Sequence, residues 1–299
     1  MGILFKGAAT ALVTPFKDGA VDFNALRKLI EWQIAEGIDA IVSCGTTGEA
    51  STLEDDEHIE VVKYTVRVTK GRIPVLGGAG SNNTEHALFM AKALENAGVD
   101  GLLMVTPYYN KCSQNGLIKH YEYLADNCEK PIILYSVPGR TGVNISPKAV
   151  MELSKHPNIC GIKEASGDIS QVVEIARYVS DDFALYSGND DMIIPLMSVG
   201  GSGVISTVSN IIPKDVHNMI KAYMSNEFEE AKNMQLKMKP LIDAVFCEVN
   251  PIPIKAALNI MNKIKREYRM PLCDPSNKSL YAIMCAMEDY GIQGVYSSL

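Results

Sequence analysis

The sequence predicts an α/β fold, a (β/α)8 TIM barrel with a C-terminal helical extension, and three observations carry that prediction. Short apolar runs alternate with longer amphipathic stretches. The runs lack polar alternation, as expected of parallel strands buried on both faces. Unusual polar residues follow the carboxyl ends of the runs, where barrels of this kind carry their functional groups.

In chain order the predicted strands are 7–13, 40–44, 73–77, 101–106, 132–135, 159–163, 184–187 and 203–205. Helical segments with start signals lie between them. Asp22 precedes a helix over 23–36 that ends at Gly37. Thr52 and Asp55 read as a capping box before 56–69, and Gly71 follows. Thr84 opens a helix ending near Ala97 and Gly98, and Ser113, Ser146 and Asp168 stand at equivalent starts later. The barrel closes around Ile205, with its last helix over 213–223. Residues 1–224 therefore form the catalytic barrel, and residues 225–299 form a helical region with helices over 227–249, 253–265 and 278–290. A doubly wound open sheet is the competing fold, because element order alone does not prove closure.

Composition narrows the function classes. At 299 residues, 47% hydrophobic and 21% charged, the chain has the make-up of a soluble globular protein. Its net charge of -7 and lack of a long basic run argue against nucleic acid as a partner. No apolar stretch approaches the ~20 residues that span a bilayer, and no signal-peptide core is visible. The seven scattered cysteines show no metal-ligand spacing and read as reduced, mostly buried thiols of a cytoplasmic protein.

Lys163 is the sharpest candidate. It ends the run Ile159-Cys160-Gly161-Ile162. An exposed lysine, with a pKa of about 10.4, is a poor nucleophile near neutrality. Desolvation disfavours the ammonium and frees a lone pair for attack on a carbonyl. The same lysine could instead snorkel to solvent or pair with Glu164. Tyr135 ends the neighbouring run and suits proton transfer during imine chemistry, with Thr47 as a link in a hydroxyl chain. A core aromatic is its alternative. The turn 45–49, two threonines between glycines, exposes N–H groups and hydroxyls that suit a carboxylate, unless it is a simple connection. Arg140 follows a Pro-Gly turn able to aim a guanidinium at a substrate carboxylate, or it is a surface arginine. Tyr108 and Tyr109 fit loop packing or a subunit interface.

Taken together, GTTGEA at 45–50, TPYYN at 106–110, YSVPGRTG at 135–142, GIKEASG at 161–167 and GVIS at 203–206 carry a family resemblance. In order and spacing they resemble the pyruvate-dependent aldolases that include dihydrodipicolinate synthases and N-acetylneuraminate lyases. The resemblance covers essentially the whole chain. It implies a carbon–carbon lyase that works through a lysine Schiff base on Lys163 and needs no cofactor. Tyr135, Thr47 and Tyr109 would relay protons, Tyr109 reaching the neighbouring subunit's site. Thr46 and Thr47 would hold the pyruvate carboxylate. Arg140 would meet the carboxylate of aspartate semialdehyde, and Gly188 and Ile205 would line the pocket. Arg140 and the Thr-Thr pair favour the synthase branch, in lysine and diaminopimelate biosynthesis. A sialic-acid lyase or keto-sugar-acid aldolase is the alternative. Ser136 departs from the Asn commoner in this family.

The resemblance also implies a homotetramer, a dimer of dimers. It further implies an allosteric lysine site around Ala50, Ser51, Asp55, His58, Asn82, His86 and Tyr108. With His86 where inhibited relatives often carry an acid, weak or absent inhibition by lysine is expected.

Three rivals remain at this stage. The glycine clusters at 77–81 and 200–203 could cradle phosphate, although neither forms a P-loop or a full dinucleotide fingerprint. A metal-dependent aldolase would need clustered ligands, whereas the five histidines fall mainly in helical segments and Asp190-Asp191 reads as a helix cap. A non-enzymatic binding barrel would have no use for Lys163.

Overall fold

Runs rich in Val, Ile, Leu, Ala and Gly leave both faces of a strand apolar, so they need cover on two sides. A barrel ringed by helices provides it. The computed structural model describes residues 2–294; residue 1 and residues 295–299, at the outer ends of the two proposed segments, lie outside it.

Eight parallel strands close into a barrel: β1 (Gly7–Ala11), β2 (Ala40–Ser43), β3 (Val75–Gly78), β4 (Gly101–Val105), β5 (Ile132–Ser136), β6 (Ile159–Glu164), β7 (Ala184–Ser187) and β8 (Gly203–Ser206). Neighbours in sequence are neighbours in the sheet, and β8 returns to β1. The open-sheet alternative is thereby overturned. Closure depends on Gly203, whose φ of +143 and contact with Gly7 leave no room for a side chain. A Cβ there would stand 1.8 Å from the Gly7 carbonyl oxygen.

Side chains alternate between two cores. Ala9, Ala11, Ala40, Val42, Leu76, Leu103, Ile133, Tyr135, Tyr186 and Ile205 fill the barrel interior. Ala8, Ile41, Leu102, Met104, Leu134 and Ile162 face the surrounding helices. Between β5 and β6 the pairing shifts by one residue after Ile132–Ile159, so that Ile133 meets Gly161 and Tyr135 meets Lys163.

The helices start largely where their sequence signals stand. Asp22, Ser113, Ser146 and Asp168 each accept hydrogen bonds from first-turn N–H groups. The capping box at Thr52 and Asp55 does not form. Glu54 is the cap residue of Asp55–Thr69, and the Thr52 hydroxyl turns back to the Glu49 carbonyl. Helix Phe228–Val245 ends sooner than expected, and Ile252–Ile260 stops just before Asn262 takes a positive φ. A two-stranded hairpin, Phe16–Lys17 with Ala20–Val21, escaped the sequence reading because its strands are two residues long. Of the seven thiols, Cys44, Cys128 and Cys160 are buried while Cys247 and Cys273 are exposed, so they are not mostly buried as expected.

Candidate active site

The register of β5, β6 and β7 puts Tyr135, Lys163 and Tyr186 side by side in one layer of the barrel. Lys163 shares the inward parity of Tyr135 and is only 5% exposed. Its Nζ lies 4.4 Å from the centre of the Tyr135 ring. Glu164, the next residue, faces outward. Its carboxylate accepts from the Ser166 N–H at 2.7 Å and the Gln171 amide at 3.1 Å, so it is no partner for Lys163. Burial pushes the Glu164 carboxyl above its usual range. Gly188 gives the lysine its space: a Cβ there would come within 3.1 Å of Lys163 Cε and 2.6 Å of the Ala165 Cβ. Ile205 is fully buried in the same interior core.

The turn after β2 is held in a demanding backbone conformation. Cys44 and Glu49, on either side of it, both have φ of 54°, a region costly for residues with a Cβ. The N–H groups of Gly48, Glu49 and Ala50 close the turn, and those bonds leave out the N–H groups of Thr46 and Thr47. The Thr47 hydroxyl is 3.4 Å from that of Thr207 and accepts a hydrogen bond from the Asn250 amide at 2.9 Å. Two contacts from distant sequence pin the turn. Lys255 Nζ bonds the Glu49 carboxylate at 2.5 Å, and the Arg269 N–H bonds its other oxygen at 3.2 Å.

Asn250, Lys255 and Arg269 were absent from the sequence reading. They belong to the C-terminal region, and no local motif marks them. Asp190 was read as a cap for its own helix, and this is corrected. Its buried carboxylate instead accepts from the N–H groups of Thr207 and Val208, at 3.1 and 2.8 Å. Burial pushes this carboxyl up, while hydrogen bonds from the Ser206 hydroxyl and the Val208 and Thr207 N–H groups, and last the charge of nearby Lys163, pull it down.

A cavity of about 510 Å³ opens beside this layer, lined by Gly45, Thr46, Tyr135 and Arg140 among others. Lys163 and Thr47 are not among its lining residues; Tyr135, which Lys163 covers, joins the lysine to it. Arg140 donates to the Asn250 carbonyl at 3.1 Å. Ala50, Ser51, Asp55, His58, His86 and Tyr108 line the same cavity, whereas Asn82 does not and holds Asn110 through its carbonyl. His86 bridges Asp55 and Ser81 at 3.0 and 3.2 Å. Tyr109 stands apart, 90% exposed and at a φ of 71°. Among the described residues no cluster of His, Cys, Asp and Glu could hold a metal ion, and no helix is long and apolar enough to cross a membrane.

The model of the dihydrodipicolinate synthetase family matches residues 4–289. The chain belongs to this family. A family relative from Thermoanaerobacter sp. (strain X514), named 4-hydroxy-tetrahydrodipicolinate synthase, is 50% identical over 290 residues, 97% of this chain and 98% of the relative. The solved dihydrodipicolinate synthase from Thermotoga maritima matches with a TM-score of 0.95 at 41% identity, over 97% of this chain and 100% of that one. The chloride-inhibited dihydrodipicolinate synthase from Acinetobacter baumannii, solved in complex with pyruvate, gives a TM-score of 0.94 at 42% identity, again over 97% and 100%.

Proposed function

We propose that the chain is a cytoplasmic 4-hydroxy-tetrahydrodipicolinate synthase that condenses pyruvate with L-aspartate 4-semialdehyde on Lys163. The carrying observation is a buried lysine set beside Tyr135 in the barrel interior, next to the cavity that Tyr135 lines. The Lys163 amine adds to the ketone of pyruvate, and the carbinolamine loses water to give an imine. The imine, acting as an electron sink, lets a methyl proton leave, and the resulting enamine carbon attacks the aldehyde. The substrate's amino group then attacks the imine carbon, closing the ring and releasing the lysine. Tyr135 and Thr47 carry protons between these steps. The Thr46–Thr47 turn receives the pyruvate carboxylate, with Gly188 and Ile205 shaping the space, and Arg140 meets the second substrate's carboxylate. Covalent attachment to lysine supplies the electron sink, so the proposal calls for no cofactor.

Tyr109, exposed on a strained loop, suits donation to the site of a second copy in a dimer, two of which would make a tetramer. With His86 occupying Asp55, the outer lobe of the cavity is poorly suited to an added ammonium. Lysine at concentrations below about 1 mM, within the range of ordinary substrate affinities, is expected to leave turnover unchanged. Clear inhibition at that level contradicts this part.

Purified protein is given pyruvate and aspartate semialdehyde without added metal, and product is followed through a coupled reductase. Turnover is expected, and Lys163→Ala should lose it along with the borohydride-trapped pyruvate adduct. An adduct that persists on another lysine overturns the assignment. An adduct on Lys163 without turnover points to a sugar-acid second substrate.

A further inference from the structure

Asn250 sits in the turn between helices Phe228–Val245 and Ile252–Ile260, 6% exposed, and touches two sides of the site at once. Its side-chain amide nitrogen donates to Thr47 Oγ1 at 2.9 Å, and its backbone carbonyl accepts from Arg140 at 3.1 Å. Its side-chain oxygen is buried without a partner. A buried amide oxygen left unsatisfied is costly, which marks a residue held for what its other atoms do. The location is fixed from beyond the turn, since Lys255 in the following helix is anchored on Glu49, two residues from Thr47.

An amide nitrogen only donates, while a hydroxyl has a single hydrogen and can both donate and accept. With Asn250 filling the acceptor role of Thr47 Oγ1, the hydroxyl's own hydrogen must point elsewhere. Its other neighbour, Thr207 Oγ1, lies at a long 3.4 Å. We propose that Asn250 is a positioning residue that sets the hydrogen-bond polarity of Thr47, turning the threonine into a donor toward the reacting centre. This rests on the Schiff-base reading above. Arg140 depends only on the backbone of Asn250, so side-chain changes there separate the two contacts. Asn250→Asp keeps the shape but replaces the donor with an acceptor, which claims the Thr47 hydrogen through a charge-assisted bond. Asn250→Ala removes the donor without burying a charge.

The test is a double-mutant cycle with Thr47→Val, read as kcat and KM with both substrates. Asn250→Asp is expected to lower kcat about 10- to 100-fold, within the reach of a general acid–base contribution. KM for aspartate semialdehyde should stay near wild type. In the Thr47→Val background both Asn250 substitutions should add no further loss. The Asp variant should regain rate as pH falls and its carboxyl is protonated, which no purely structural role predicts. Wild-type kcat in both Asn250 variants, or an undiminished loss in the Thr47→Val background, overturns the proposal. Borohydride trapping of pyruvate on Lys163 is run alongside. A wild-type protein that traps nothing counts against the Schiff-base reading, whereas trapped variants with unchanged kcat count against Asn250 alone.

Discussion

Lys163 and Lys255 are both buried amines, 5% and 0% exposed, and both lie against aromatic rings. Lys163 Nζ is 4.4 Å from the ring centre of Tyr135, and Lys255 Nζ is 4.2 Å from that of Phe16. Their company differs. Lys255 meets the buried carboxylate of Glu49 at 2.5 Å, in a network that includes Arg269 and Glu57. Burial pulls the Lys255 ammonium below its usual range, and Glu49 opposes that pull. Lys163 has no such salt bridge among the described residues: Glu164 points outward, and the nearby Asp190 carboxylate is engaged by the Thr207 and Val208 N–H groups. Burial alone therefore does not mark a nucleophile. A buried amine in direct contact with a carboxylate is a structural cation, and the one without that contact is the proposed nucleophile.

The widest contrast is between removing either amine. Lys163→Ala should abolish adduct formation while changing folding stability little. Lys255→Met leaves the Glu49 carboxylate buried without its cation, with only the Arg269 N–H, among the described residues, still bonded to it, and stability should drop by about 3–5 kcal/mol. Adding Glu49→Gln to Lys255→Met should recover much of that loss in denaturant unfolding. A Lys255→Met protein as stable as wild type would break the comparison, since the pair would then hold nothing in place.

Buried imidazoles that form no ion pair among the described residues sharpen the same point at smaller scale. His58 Nε2 and His120 Nε2 are buried without partners, and burial holds each imidazole down to about 4, from 6.5. A folded-state value below the unfolded one means the unfolded chain takes up protons first as pH falls. The stability contribution is complete above pH 6.5 and is lost on the way down to about pH 4. Each site is worth on the order of 3 kcal/mol. Urea unfolding from pH 7 to 4 should show a falling limb that flattens in the His58→Gln, His120→Gln double variant. An unchanged limb would assign the acid sensitivity to other groups.

Much of the fold was legible because local pattern carries it. Ala184–Ser187 matches its expected bounds, and the other strands agree within about two residues. Lys163 and Tyr135 could be picked out because each ends an apolar run, and strand ends in a barrel face the functional rim. Where short-range signals competed, the reading slipped. Glu54 displaced the expected box at Thr52, and Asp190 spent its carboxylate on Thr207 and Val208.

By itself the sequence determined the strand–helix alternation, the layer of interior residues and the identity of the chemical groups at the strand ends. Periodicity and turn chemistry act over a few residues, and those are written locally. The tertiary structure alone decided which groups meet. The one-residue shift between β5 and β6 aligns Lys163 with Tyr135, and a different register would have turned the lysine toward the helices. Asn250 reaches Thr47 across 203 positions, and Lys255 reaches Glu49 across 206. Such contacts arise only when the barrel has closed and the C-terminal helices have packed on it, because long-range pairing is set by the global packing minimum rather than by any local preference.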